Sequence, residues 1–165
     1  MKIQNLIIFT FFSLSITIQA QDLKPSNSLC LNFGSGTVVS IDYERNWRND
    51  KNNNLFIGSI GAGAGLKGEV WTLYDTVEDP EWYFVSPQKA TYCIGNGINY
   101  LEVGVGGIYV AGNTTQPYIA YPILGYRFIG SNNTTFKFYM TWPISGIQTE
   151  DLGSVPFGIS LGQLF

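Results

Sequence analysis

The sequence contains no histidine. The side chain that most often serves as a general base, and the commonest metal ligand, is therefore missing. The usual Ser-His-Asp and Cys-His arrangements go with it. Charge is also scarce: 13% of the 165 residues are Asp, Glu, Lys or Arg, against about 25% in an average soluble domain. Nine basic and twelve acidic residues leave a net charge of −3, so no basic surface advertises nucleic acid. Only two cysteines occur, Cys30 and Cys93. Beyond residue 20 no stretch can be a membrane helix, because Gly, Pro, Asn and Thr break each uncharged run.

What the chain does have is apolar and aromatic. It is 45% hydrophobic and 15% aromatic, with nineteen glycines, ten tyrosines and eleven phenylalanines. That is an unusual mix for a soluble enzyme, and the length allows one domain. The first twenty residues, "MKIQNLIIFTFFSLSITIQA", carry Lys2, an apolar run from Leu6 to Ile18 and Ala20 before Gln21. These are the parts of a secretory signal, too short for the roughly 20 apolar residues of a span. The expected mature domain is 21–165. Cys30 follows "NSL", which lacks the small residue of a lipid-attachment site.

The rest of the chain reads as strands. "FKFYMTW" sets Phe136, Phe138, Met140 and Trp142 against Lys137, Tyr139 and Thr141. "VVSIDYER" sets Val39, Ile41 and Tyr43 against Ser40, Asp42 and Glu44. "YLEVGVGG" sets Leu101, Val103 and Val105 against Glu102, Gly104 and Gly106, and Gly107 reads as a bulge that shifts the register. "ILGYRFI" sets Leu124, Tyr126 and Phe128 against Gly125 and Arg127. Period-two alternation predicts β-structure. Strands are predicted near 36–46, 54–64, 68–75, 88–95, 99–111, 117–129, 134–142 and 155–165. The connections 65–67, 96–98 and 130–133 read as tight turns. The others, beginning with "NWRNDKNNN" from Asn46, are longer and polar. Alternating short and long connections, with both termini on the short side, are the build of an eight-stranded antiparallel up-and-down transmembrane β-barrel.

In such a barrel the apolar face meets lipid. Asp42, Glu44, Glu102, Arg127 and Lys137 then face a lumen just wide enough for side chains, where opposite charges would pair into a plug. In a soluble barrel or sandwich the same charges would face water. Aromatics near strand ends, among them Tyr43, Trp47, Tyr100, Tyr126 and Trp142, fit interfacial girdles. An exported compartment permits a Cys30–Cys93 disulfide; two unpaired buried thiols are the alternative.

The segments "GSGTVVSIDYERNW", "INYLEVGVGGIYV", "ILGYRFI" and "PFGISLGQLF" resemble, in this order, a family of small outer-membrane β-barrel proteins of Bacteroidetes-type bacteria, similar in build to OmpA-like transmembrane barrels. The resemblance covers most of the mature chain and implies a barrel, not a chemistry. The closing stretch also resembles the C-terminal signal read by barrel-assembly machinery, with Phe157, Ile159, Leu161 and Phe165 matching and Gln163 departing from it. The implied partners are outer-membrane lipid and, transiently, that machinery.

The expected function is therefore a non-enzymatic outer-membrane protein with a structural or surface-interaction role, without cofactor or metal. Trp82, Tyr83 and Phe84, in the predicted loop 76–88, are the candidate contact surface for an extracellular ligand or protein. Three alternatives use the same residues. One is a small pore, which the inward charges would obstruct. One is a membrane enzyme with a carboxylate-only site such as Asp42 with Glu44. One is a soluble lipocalin-like barrel that binds an apolar ligand inside.

Overall fold

A computed structural model describes residues 23–35, 37–49, 52–66, 82–111, 117–142 and 156–165. Eight strands run in order: β1 (Leu23–Gly34), β2 (Thr37–Asn49), β3 (Leu55–Leu66), β4 (Trp82–Gly95), β5 (Asn99–Ala111), β6 (Tyr118–Ile129), β7 (Thr134–Thr141) and β8 (Phe157–Leu164). Each pairs antiparallel with its sequence neighbour, and β8 pairs with β1 to close a barrel. The all-β class and the eight-stranded antiparallel barrel expected from the sequence are what the chain forms. The ladder also fixes the tilt. Stepping across it from Lys24 through Arg48, Leu55, Cys93, Glu102, Gly125, Tyr139 and Gly158 returns to β1 at Gly34, ten residues further on. Such a stagger goes with strands inclined by about 40° and an interior that side chains can fill.

The membership of the eight differs from the prediction. The first strand is 23–34, ahead of the first predicted strand at 36–46. The predicted strand 68–75 lies outside the described residues, and the closed ladder is complete without it. The predicted turn at 65–67 is displaced, since Gly65 and Leu66 pair with Tyr83 and Trp82 inside the β3–β4 ladder. The segment read as a long outer loop from Asn46 is not one: Asn46 to Asn49 belong to β2. Asn49 and Leu55 stand on the same rim as 96–98, 130–133 and the two ends of the described chain, Leu23 and Phe165. Gly34, Leu66, Trp82, Ala111, Tyr118, Thr141 and Phe157 end or open their strands on the opposite rim. The asymmetry of connection lengths survives, with its first members reassigned.

Gly107 makes no bulge. The partners on either side of it, Gln88 and Ala120, keep the register of their neighbours. The apolar side chains simply move to the inner face there: Ile108 and Val110 are buried because the lumen itself becomes apolar at that end. A proline in a closed ladder needs a repair. Pro87 lies in the middle of β4 with no N–H to give to β3, and the Ser86 hydroxyl donates to the Gly61 carbonyl at 2.9 Å instead. The β1–β2 connection is tight because Gly34 (φ 84°) and Ser35 (φ 56°) take left-handed conformations beside a register shift at Phe33/Gly34.

Candidate functional site: the lumen and the two rims

Alternation sends Asp42 and Glu44 of β2, Lys89 of β4, Glu102 of β5, Arg127 of β6 and Lys137 of β7 into the lumen, where none is more than 8% exposed. All five charges singled out in the sequence meet there. Arg127 holds two carboxylates at once. Its Nη1 and Nη2 donate to Glu44 at 2.7 and 3.1 Å, and its Nε and Nη2 donate to Glu102 at 2.9 and 3.5 Å. Lys137 lies 3.3 Å from Glu44 and 3.6 Å from Glu102. Three acids face three bases, so the enclosed charge cancels. This is the condition under which buried ions are tolerated.

Lys89 was missed in the sequence. Its Nζ lies 2.7 Å from Asp42 Oδ2. The signal was present in "VSPQKATYC", where Val85, Pro87, Lys89, Thr91 and Cys93 share one face, but a mid-strand proline hid the strand's first half. Tyr139 joins the two ionic groups. Lys89 Nζ and Lys137 Nζ lie 5.2 and 5.0 Å from its ring centroid, within cation–π range. Neutral groups complete the acceptors: Ser28 donates to Glu44 at 3.2 Å, and Ser40 to Asp42 at 2.8 Å. Glycines on neighbouring strands make the room. A Cβ on Gly61 would fall on the Asp42 carboxylate, and one on Gly158 would fall on the Tyr139 ring.

The ionic layer is covered on both sides. Toward the rim with the chain ends, Leu55, Ile57, Cys93 and Tyr100 form a buried apolar cluster. Arg48 reaches over it, donating to the Tyr100 hydroxyl at 2.9 Å. Toward the other rim, Val85, Ile108, Val110, Tyr121, Ile123 and Tyr139 form a second cluster.

The outer wall has the opposite character. Ile41, Ile60, Leu101, Val105, Leu124 and Leu161 are each at least 50% exposed. On the rim with the chain ends, three outward tyrosines bond to asparagines. Tyr43 donates to Asn27 (2.7 Å), Tyr126 donates to Asn99 (2.6 Å), and the Tyr92 hydroxyl accepts from Asn54 (2.9 Å). Each ring lies on the apolar wall and each hydroxyl reaches the polar edge.

The remaining sequence-derived residues fall as follows. Phe157, Ile159, Leu161 and Phe165 are exposed on the outer side of the closing strand and its end. Gln163, the departure from the pattern, donates its amide to the Asn132 carbonyl at 3.1 Å, in the neighbouring turn. The disulfide does not form: Cys30 and Cys93 are free and buried. They stand on β1 and β4, three strand spacings apart at about 4.8 Å each, well beyond the roughly 7 Å that a bridge can span. Trp82, Tyr83 and Phe84 are not in a loop. They open β4, with Trp82 and Phe84 outward at 60% and 58% exposure, and Tyr83 packed toward the second apolar cluster. Residues 76–81 of that predicted loop, and the predicted signal at 1–20, lie outside the described residues. Among the described residues no group of three or more His, Cys, Asp or Glu is placed to hold a metal ion.

Comparison with protein-family models, with curated proteins and with solved structures finds no match for this chain.

Proposed function

We propose that this chain is a bacterial outer-membrane β-barrel protein, exported by its N-terminal signal, without enzymatic activity, and closed to passage by a plug of ion pairs. Its role is structural or is exerted through contacts on the rim opposite Leu23 and Phe165, where Trp82 opens β4. One observation carries the reading: the barrel is inside out, with six charged side chains enclosed and large apolar side chains facing outward on every strand. Water would penalise that wall, whereas hydrocarbon favours it, and closure removes the unpaired edges that lipid would not tolerate. The resemblance to small Bacteroidetes-type barrels and the C-terminal Phe pattern support the same reading.

The alternatives fit less well. A pore would have to pass between Arg127, Glu44, Glu102 and Lys137, which touch one another across the lumen. An apolar ligand inside would have to displace the same pairs. A carboxylate-only enzyme site would need Asp42 and Glu44 accessible, yet they are 0% and 1% exposed and engaged by Lys89, Arg127 and Lys137. Trp82 and Phe84 remain candidates for the contact rim.

Cell fractionation with heat-modifiability tests the reading. The protein should partition with outer membrane, require detergent for extraction and run differently on gels before and after boiling. Recovery as soluble protein without detergent would sink it. Planar-bilayer recording should show no steady conductance, and a steady, sizeable conductance would remove the sealed lumen from the reading.

A further inference from the structure

The outer wall is almost free of charge. Among the residues whose side chains are described, Arg45 is the one cation on it and no Asp or Glu side chain stands there; the main-chain oxygen of Phe165 accepts from the Asn27 backbone N–H at 3.1 Å, one strand further round. Its surroundings are built. Arg45 lies opposite Asn27 on β1 and Gly58 on β3, so short side chains flank it in the ladder. Below it Trp47 lies over Gly58, whose Cβ position would contact the indole at 3.4 Å, and packs on Phe56 with ring centroids 5.5 Å apart. The Arg45 guanidinium lies over that indole, 5.6 Å from its centroid, within cation–π range. A guanidinium carries five N–H donors in a planar fork that suits phosphate oxygens. Asn27 supplies a second donor: the Tyr43 hydroxyl occupies its Oδ1 at 2.7 Å, which leaves Nδ2 to donate. The level is that of the tyrosine–asparagine rim, where headgroups meet the wall if the barrel is in a bilayer.

We infer that Arg45, held over Trp47 and assisted by the Asn27 amide, binds the phosphodiester of a phospholipid headgroup in the leaflet nearest Leu23 and Phe165. The inference rests on the membrane reading. Charge complementarity selects the ligand: an outward cation at headgroup depth, with no Asp or Glu side chain beside it among the described residues, faces a surface of phosphate anions. The indole adds an interfacial platform for the acyl–glycerol region.

The test uses the full mature chain, first in vesicle flotation and then in detergent by native mass spectrometry with added phosphatidylglycerol or diacylglycerol. Wild-type protein should float with vesicles and retain phosphatidylglycerol but not diacylglycerol, which lacks the phosphate. Arg45→Gln should lower retention by tenfold or more while the barrel stays heat-modifiable, Arg45→Lys should restore part of it, and Asn27→Ala should give a smaller loss. Equal retention by Arg45→Gln, or equal retention of diacylglycerol, overturns the site and leaves the membrane reading standing. Complete displacement by inorganic phosphate assigns the site to a free anion and also overturns it. Failure of the wild type to float overturns both.

Discussion

Replacing Arg127 by methionine is the sharpest perturbation of the lumen. Arg127 donates four N–H···O contacts of 2.7–3.5 Å to two buried carboxylates. Methionine removes all of them and leaves Glu44 and Glu102 sharing Lys137, at 3.3 and 3.6 Å. Removing one partner of a buried ion pair costs about 3–5 kcal/mol, mostly the penalty of the charge left behind. Lys137 offsets part of that for two carboxylates, so about 4 kcal/mol is expected. With a urea dependence of about 2 kcal/mol/M, the midpoint should fall by about 2 M. Urea titration of the micelle-folded protein, read by the unboiled gel mobility in both directions, measures it. The quadruple variant Glu44→Gln, Glu102→Gln, Arg127→Met, Lys137→Met removes two acids and two bases together. It should recover most of the loss, because a neutral set of similar volume carries no stranded charge. A midpoint for Arg127→Met within about 0.3 M of wild type would refute the reasoning, and so would a quadruple variant less stable than the single one.

Three further outcomes follow from the same geometry. A chain cross-linked between Cys30 and Cys93 while unfolded in urea should give no heat-modifiable band, and reduction should restore it; folding of the cross-linked chain would contradict the strand assignment of the two thiols. Gly158→Ala puts a methyl group into the Tyr139 ring and should cost about 1–3 kcal/mol, partly regained by adding Tyr139→Leu; an unchanged urea midpoint would show that the ring moves freely. Tyr126→Phe deletes the 2.6 Å bond to Asn99 and should lower stability by about 1 kcal/mol, with no change in vesicle flotation.

Much of the barrel was legible because alternation is a direct consequence of strand geometry. β7 reads almost without error: Phe136, Phe138 and Met140 lie outside, while Thr135, Lys137, Tyr139 and Thr141 lie inside. Five of the six lumen charges were legible for the same reason. β1 was not, since its first half, "LKPSNS", carries turn-forming residues and its alternation begins only at Ser28 and Leu29. β3 hid its faces because Gly61 and Gly63 stand where side chains would mark the lumen; their small size is dictated by Asp42 and Ser40 on the neighbouring strand. The first half of β4 was obscured by Pro87, whose lost ladder bond is made good by Ser86 across the strand pair, a compensation that no window along the chain displays; Lys89 was left at the border of the predicted strand, where a lysine reads as solvated. Gly107 misled because a change of lumen character, from charged to apolar, looks in sequence like a change of register.

The eight seams of the barrel are not equivalent in the order of synthesis. Seven join strands that follow one another along the chain, but the eighth joins Ser28 to Leu164 and Phe33 to Ile159. A chain held short of β8 is a curled sheet with two raw edges, at β1 and β7, and its ionic layer stands open along the gap. Closing that gap costs loop entropy that grows only slowly with the length spanned, so distance is a modest thermodynamic burden. Its weight is kinetic: long-range strand pairing is slow to form, and while β1 and β8 are apart, the edges that could pair wrongly and the charges that must be sealed stay uncovered together.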